Sequence, residues 1–301
     1  MAEERARAGA AALESERQFV LALGGFALQI PGAVLVTHEK LPVPRFNYVQ
    51  VEAISPERQT AFFERALDHY FQRALRPTFR LPRPVPAHLD AGLRRFGFRS
   101  REEPLEVLVD DGEGPAVLSR GAREIREAEP SELDRISAFW TEARERPEFR
   151  SALDVAWHHP NPDEELRPLL ALEAGAPVAA ALFYRYRATA SLQAVATQPD
   201  ARGRGAASAL VRVARSRAVA EPGGRASITA DSARQRLGLE RLGFRSALSF
   251  RVYELGAEAR LEIPSPGPPG PPRWRPPRTS RRAGGSRASS APRARRSSGS
   301  S

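Results

Sequence analysis

The chain has 301 residues, a length that accommodates about two domains, and its 41% hydrophobic and 27% charged content is ordinary for a soluble globular protein. It contains no cysteine, which excludes disulfides, thiolate nucleophiles and cysteine-ligated metal sites. No apolar run approaches the ~18 residues of a membrane-spanning helix. Acids at Glu3 and Glu4 stand where a secretory leader would be basic, so a cytoplasmic location is expected. The formal net charge of +10 suggests a nucleic-acid partner until the charges are located.

In chain order, Phe46 to Ile54 alternates Val49, Val51 and Ala53 and predicts a strand. Ser55-Pro56-Glu57 has the form of a helix start, with Ser at the cap, Pro in the first turn and an acid near the positive end. The helix that follows carries Phe62, Phe63, Ala66, Leu67, Tyr70 and Phe71 and runs to about Leu75. Thr78 to Leu81 predicts a strand and Pro86 to Phe96 a helix, joined by an extended link with prolines at 82, 84 and 86.

An internal repeat then organises the rest. Leu93-Arg-Arg-Phe-Gly-Phe-Arg-Ser100 closely matches Leu239-Glu-Arg-Leu-Gly-Phe-Arg-Ser246, which begins 146 residues later. Each run reads as a helix end, a glycine in the terminating position and an aromatic residue entering a strand. A further strand is expected at Leu105 to Val109 and at Leu248 to Leu255. The offset is one domain length, so two tandem modules are expected.

The second module alternates strands and helices. Arg123 to Arg126 is an expected strand, and Pro130 to Arg146 a helix with Leu133, Ile136, Phe139, Trp140 and Ala143 on one face. Leu169 to Glu173 is a strand, and Gly175-Ala176-Pro177 turns the chain into a second with Val178, Ala180, Leu182, Tyr184 and Tyr186 alternating. A third runs from Ala190 to Thr197. The helix from Gly205 to Ala220 places Ala207, Leu210, Val211, Ala214 and Ala218 at helical spacing. A strand at Ala226 to Ala230, a helix to Leu242 and the final strand complete an α/β order with a mixed, mostly antiparallel sheet in each module, flanked by helices.

From Pro264 to Ser301 there are nine arginines and no acid, so residues 1–263 carry a net charge of only about +1. This tail of Pro, Gly, Ser and Arg has one large apolar residue, Trp274, and is expected to be a disordered, solvated extension. Any nucleic-acid binding would be weak and confined to it. The expected domains are therefore 1–120, 121–263 and the tail 264–301.

The chemistry concentrates where strand, loop and helix meet, from Ala194 to Ser208. Gly203 and Gly205 let the backbone turn its N–H groups toward one point as a helix begins, an arrangement that suits a phosphate or pyrophosphate. Amides of residues 203–208 can cradle the anion while Arg202 and Arg204 add charge. No Gly-Lys-Ser/Thr follows, so this is no Walker loop, and the glycine spacing is wrong for a dinucleotide-binding turn. In the first module the equivalent stretch is Ile54-Ser-Pro-Glu-Arg58, where Pro56 removes an amide and Glu57 repels an anion. Any cofactor is expected in the second module alone.

With these residues the chain resembles the GNAT superfamily of acyl-CoA-dependent N-acetyltransferases. Arg202-Gly-Arg-Gly205-Ala-Ala207 fits the family signature Arg/Gln-x-x-Gly-x-Gly/Ala after the fourth strand. Val195-Ala-Thr-Gln-Pro-Asp200 upstream and Leu239 to Phe244 downstream are also similar. The resemblance spans residues 122 to 255 and implies acetyl-CoA as cosubstrate, with no metal. It implies that Val195, Ala196 and Thr197 offer backbone groups to the pantetheine arm. It further implies that amides of Arg202, Gly203, Arg204, Gly205, Ala206, Ala207 and Ser208 hold the pyrophosphate. The first module reads as a degenerate GNAT-like partner.

Two positions depart from the family. Leu239 stands where a Tyr commonly protonates the departing thiolate, and Ser232 stands in place of an Asn, offering a hydroxyl to CoA. A thiol of pKa about 8.5 leaves as thiolate without that acid. Asp231, Glu173 and Tyr184 are the candidate catalytic groups, with a helix cap, a turn residue and half-buried packing as their bland roles. His158-His159 points its rings apart and suggests no metal. The expected function is acetyl transfer to a primary amine of a small molecule or peptide by direct attack. A non-catalytic acyl-CoA-binding regulator is the alternative. Oligomeric state is not legible.

Overall fold

The computed structural model describes residues 2–110, 124–140, 147–158 and 161–256. The expected tail with Trp274, residue Arg123, Ala143 and Arg146 of the expected helix, and His159 lie outside the described residues. Before Phe46, where periodicity names no element, the chain forms a helix α1 (Ala2–Ala22) and a hairpin of β1 (Phe26–Ile30) and β2 (Ala33–Thr37). There follow β3 (Tyr48–Val51), α2 (Gln59–Phe71), β4 (Thr78–Pro82), α3 (Ala87–Arg95), β5 (Phe98–Ser100) and β6 (Leu105–Asp110). The second half contains β7 (Glu124–Glu127), α4 (Leu133–Phe139), α5 (Pro147–His158), β8 (Glu164–Glu173), β9 (Ala176–Tyr186) and β10 (Thr189–Thr197). It ends with α6 (Ala206–Val219), β11 (Arg225–Ala230), α7 (Ala233–Glu240) and β12 (Phe244–Leu255).

Both repeats fold as their glycines require. Gly97 and Gly243 have φ of 85° and 91°, and each leads directly into a strand, β5 or β12. A residue with a Cβ resists this left-handed geometry, so glycine ends both helices cleanly.

The helix expected over Pro130 to Arg146 is shorter. Pro130–Glu132 is a 3-10 turn, α4 stops at Phe139, and Trp140 turns out of the helix at φ −99°, ψ 114°. Its indole N–H instead donates to the Ala194 carbonyl on β10. A separate helix then begins at Pro147, a residue favoured in a first turn. The hairpin turn between β8 and β9 is Ala174-Gly175, both at positive φ, and Ala176 already belongs to the strand.

The two expected sheets are one. Its order is β1-β2-β3-β4-β12-β6-β11-β10-β9-β8-β7, with β5 paired to β12. Strand β6, from the first half, pairs with β11 of the second, while β12 pairs with β4 of the first. The halves thus exchange their final strands. All pairings are antiparallel except β3–β4 and β10–β11.

Helices cover both faces. Helix α1 crosses β9, β10, β6 and β12 on one face. Helices α4 and α5 share that face in a core containing Phe19, Val34, Leu153, Leu170 and Leu182. On the other face, α6 and α7 pack Leu210, Val211, Ala214 and Leu239 against Leu192, Ile228 and Phe183. Ala206, rather than Ala207, is the small residue buried at the start of α6. Helices α2 and α3 cover the first half, packing Phe63, Leu67 and Leu93 in one core with Phe79 of β4. Side chains alternate between these cores along the central strands: on β8, Leu170 and Leu172 face the first core and Leu169 and Ala171 the second.

Candidate functional site

The site begins where the parallel pair β10–β11 opens. Pairing runs from Thr189↔Arg225 to Leu192↔Ile228 and stops, although β10 continues to Thr197. Its other partner, β9, skips as well, with a register shift between Gln193 and Ala196. Ala194 in this bulge has φ of 50°, and Ala194 and Val195 belong to neither ladder. Beyond Ile228, β11 leans away toward β6, pairing Thr229 with Val107 and Ala230 with Glu106. Backbone amide and carbonyl groups in such an opening need partners from something other than the sheet.

The wide end of the opening meets the start of α6. Residues Pro199–Ala201 make a 3-10 turn, and Gly203 and Gly205 follow with φ of 77° and 88°. Gly205 is the N-cap of α6 and supplies no side chain to its first amides. A Cβ built on either glycine would meet nothing within 4 Å, so the space over this helix start is open. Unfilled amides at the positive end of a fourteen-residue helix favour an anion. The residues present therefore fit a pyrophosphate.

The two arginines are already engaged on the protein side. Arg202 Nε donates to the Thr197 carbonyl at 3.4 Å. Arg204 reaches Glu173 at 2.9 Å and the Asp200 carbonyl at 3.0 Å. Glu173, the last residue of β8, is thus bound to Arg204 beside this helix start. Part of the arginine charge is cancelled there.

The corresponding point in the first half is built differently. Strands β3 and β4 also part, after Gln50↔Arg80, beside a cleft of about 800 Å³. Here the helix starts with the 3-10 turn Pro56–Arg58, and the Glu57 carboxylate accepts from its own backbone N–H and from the Ser55 hydroxyl. Those bonds hold it below the usual carboxylate range. Pro56 has no N–H to offer at this helix start, and the exposed Glu57 brings a negative charge to it.

The remaining candidates are dispersed. Asp231 directly follows β11, its side chain 52% exposed and 4.0 Å from Arg101. The capping role falls one residue later: Ser232 Oγ accepts from the Gln235 N–H at 3.3 Å. Tyr184 is buried, with its ring 5.3 Å from Phe19. Burial, with the charge of Glu164 beside it, pushes its phenol far above the ordinary range. Tyr186 is half-buried under Arg187. Leu239 is 7% exposed and packs in the core of α6 and α7, so no acid reaches the site from that position. Trp140 walls the bulge and Trp157 packs half-buried nearby. His158 binds its own helix through Asp154, and no metal-binding group of side chains occurs among the described residues.

Sequence reasoning missed a polar cluster on the α1 side of the opening. Glu16 of α1 is buried, accepts from Arg80 at 2.9 Å and from Thr229 Oγ1 at 3.4 Å. Arg80 lies 3.6 Å from the Tyr48 ring. Burial alone would raise the Glu16 pKa. The charges of Arg80 and Arg45 and the two hydrogen bonds more than offset it, and the carboxyl is held below its ordinary value. Nothing local announces these residues, which are separated by up to 213 positions.

Residues 130–244 match the acetyltransferase (GNAT) family. No curated protein matches the chain. A GCN5-related N-acetyltransferase from Kribbella flavida is 17% identical with a TM-score of 0.59, covering 82% of this chain and 96% of its own. A functionally unknown conserved protein from Staphylococcus epidermidis gives 12% and 0.58, covering 77% and 94%. A GCN5-related N-acetyltransferase from Sphaerobacter thermophilus gives 14% and 0.55, covering 74% and 76%. At these identities the likeness is one of fold, and it extends across both halves. No described helix is long and apolar enough to cross a membrane.

Proposed function

We propose, for a chain that carries an acetyltransferase (GNAT) domain over residues 130–244, that it transfers an acetyl group from acetyl-CoA to a primary amine. The observation that carries this reading is the opening between β10 and β11 with an uncapped, glycine-led helix start at its wide end. Amides from Gly203 to Ser208 would take the pyrophosphate; the Arg202 N–H, expected to join them, donates to the Pro199 carbonyl at 3.4 Å. Backbone groups of Val195 to Thr197 would run beside the pantetheine arm and polarise the thioester carbonyl. Ser232 offers a further hydroxyl from the start of α7.

The amine nitrogen attacks the thioester carbon, a C–N bond replaces the C–S bond, the nitrogen loses a proton and CoA leaves. With no cysteine in the chain, attack is direct rather than through a thioester on the enzyme. With Leu239 buried, CoA leaves as thiolate, which its pKa of about 8.5 permits near neutral pH. The first half, with Glu57 across its helix start, would bind no CoA and would shape the acceptor side. A cytoplasmic location belongs to the same proposal.

Leu239 also favours a second reading, an acyl-CoA-binding regulator without turnover. Monitoring CoA release with amines, amino acids, peptides and aminoglycosides separates the two. Acetyl-CoA binding with no release on any acceptor supports the regulator, and no binding at millimolar acetyl-CoA overturns both.

A further inference from the structure

The opening between β10 and β11 is held on the α1 face by two grips from the first half of the chain. Arg45, in the turn before β3, hydrogen-bonds the Gln193 side-chain oxygen on β10, one residue past the last parallel rung. Glu16 accepts from Thr229 Oγ1 on β11, again one residue past that rung. The two grips meet in one charge cluster. Glu16 binds Arg80, which the parallel pairing of β3 and β4 fixes opposite Gln50, and Arg45 adds its charge to the same carboxylate. Gln193 is tied in turn to Ser191 at 3.0 Å, and Ser191 to Ser15 of α1 at 3.3 Å. Gln193, Glu16 and Arg80 are buried, while Arg45 and Thr229 at the outer ends of the grips are partly exposed.

We propose that Gln193, Thr229, Glu16 and Arg45 form a clamp by which the first half sets the width of the β10–β11 opening, and so positions acetyl-CoA in the second half. The role is positional: none of the four is assigned a proton transfer. It rests on the acetyl-CoA reading above for its consequence, but not for the clamp itself. Two strands that have left their common ladder keep no backbone bond between them, so side-chain grips at the point of parting fix their separation. A gap loosened there misplaces the carbonyl from the amides that polarise it.

Glu16→Gln leaves Arg80 buried against a neutral partner and risks misfolding. The clamp is better tested at its outer ends, with Thr229→Val, Gln193→Leu and their double variant, and Thr229→Ser as the conservative control. Hydrogen exchange reads the opening without any ligand. The double variant is expected to speed exchange of amides 193–197 and 229–231 at least tenfold, with those of β8 and β9 unchanged. Calorimetry with acetyl-CoA on the full chain is expected to show affinity weakened about tenfold, and Thr229→Ser to retain both properties. Unchanged exchange at those amides in a folded double variant overturns the clamp. Faster exchange with unchanged affinity overturns its positioning role. Failure of the unaltered protein to bind acetyl-CoA overturns the functional reading instead, and the exchange result still decides the clamp.

Discussion

Asp110, the last residue of β6, accepts from Arg215 Nε on α6 at 2.7 Å, across 105 positions of sequence. The pair joins the first half's exchanged strand to α6, the helix whose start is the proposed pyrophosphate site. Its side chains are 2% and 15% exposed, and Arg215 also donates to the Leu242 carbonyl. Removing one member of a buried pair costs about 3–5 kcal/mol, whereas replacing both with apolar groups costs far less. Arg215→Met should therefore lower the urea midpoint strongly. Arg215→Met combined with Asp110→Leu should recover most of the loss.

The strand exchange has a consequence for dissection. A fragment of residues 121–263 lacks β6, the strand that lies between β11 and β12. It would expose two unsatisfied edges and the apolar face of Phe244 and Ile228. Expressed alone, it should show no cooperative unfolding transition, while residues 1–263 should show one. A cooperative transition in the short fragment would mean that β12 can close directly onto β11.

Most of the fold of the second half is legible in the sequence because its signals are local. The alternation of Val178 to Tyr186, the Gly243-Phe244 helix stop and the glycines at 203 and 205 each act within a few residues. What is hidden is set at long range. Nothing in Leu105 to Asp110 states that this strand pairs with β11 rather than with its own half. Glu16 reads locally as one more charge on a polar helix, and becomes a buried ion-pair member only when β4 and β11 arrive beside it. Trp140 fits a helical stripe, and leaves it for a carbonyl 54 residues away.

Gly205 separates conformational from ligand effects. At φ of 88°, Gly205→Ala strains the backbone by about 1–2 kcal/mol, though its methyl meets no neighbour. Asn tolerates this region, so Gly205→Asn should keep more stability than Gly205→Val. Both should weaken acetyl-CoA at least tenfold, because a side chain would stand where the phosphates approach. Thermal melts with calorimetry check the two effects separately. Equal affinity in a folded Gly205→Val protein would remove the cradle from the site.

His69 supplies an acid-side liability away from the site. Burial, aided by the Arg73 charge, depresses its pKa to about 4, and its Nε2 lies 2.9 Å from Thr37 Oγ1. The unfolded chain takes up this proton near pH 6.5 and the folded one only near 4. The contribution is fully present above pH 6.5 and is lost as pH falls to about 4. Across that window the melting temperature should fall less steeply in His69→Gln than in the unaltered protein.

The final expectation concerns which amine is acetylated. A lysine-type amine of pKa about 10.4 costs roughly 4.6 kcal/mol to deprotonate at pH 7, whereas an α-amino group near 7.7 costs about 1 kcal/mol. A dedicated base could remove that difference, but the carboxylates near the opening are poorly placed to act as one. Glu173 is bound to Arg204 beside the start of α6. Glu16 is ion-paired with Arg80 and held below the ordinary range, so it accepts a proton reluctantly. Asp231 is half exposed at the start of α7. Low-pKa acceptors, α-amino groups or amino-sugar amines, should therefore be preferred over lysine side chains. The pH–rate profile of kcat/KM should rise with the pKa of the free amine, and Asp231→Asn should cost less than about tenfold. A strong lysine preference would place a base in the site after all. So would near-complete loss of turnover in Asp231→Asn with acetyl-CoA binding intact, and Asp231 would then be that base.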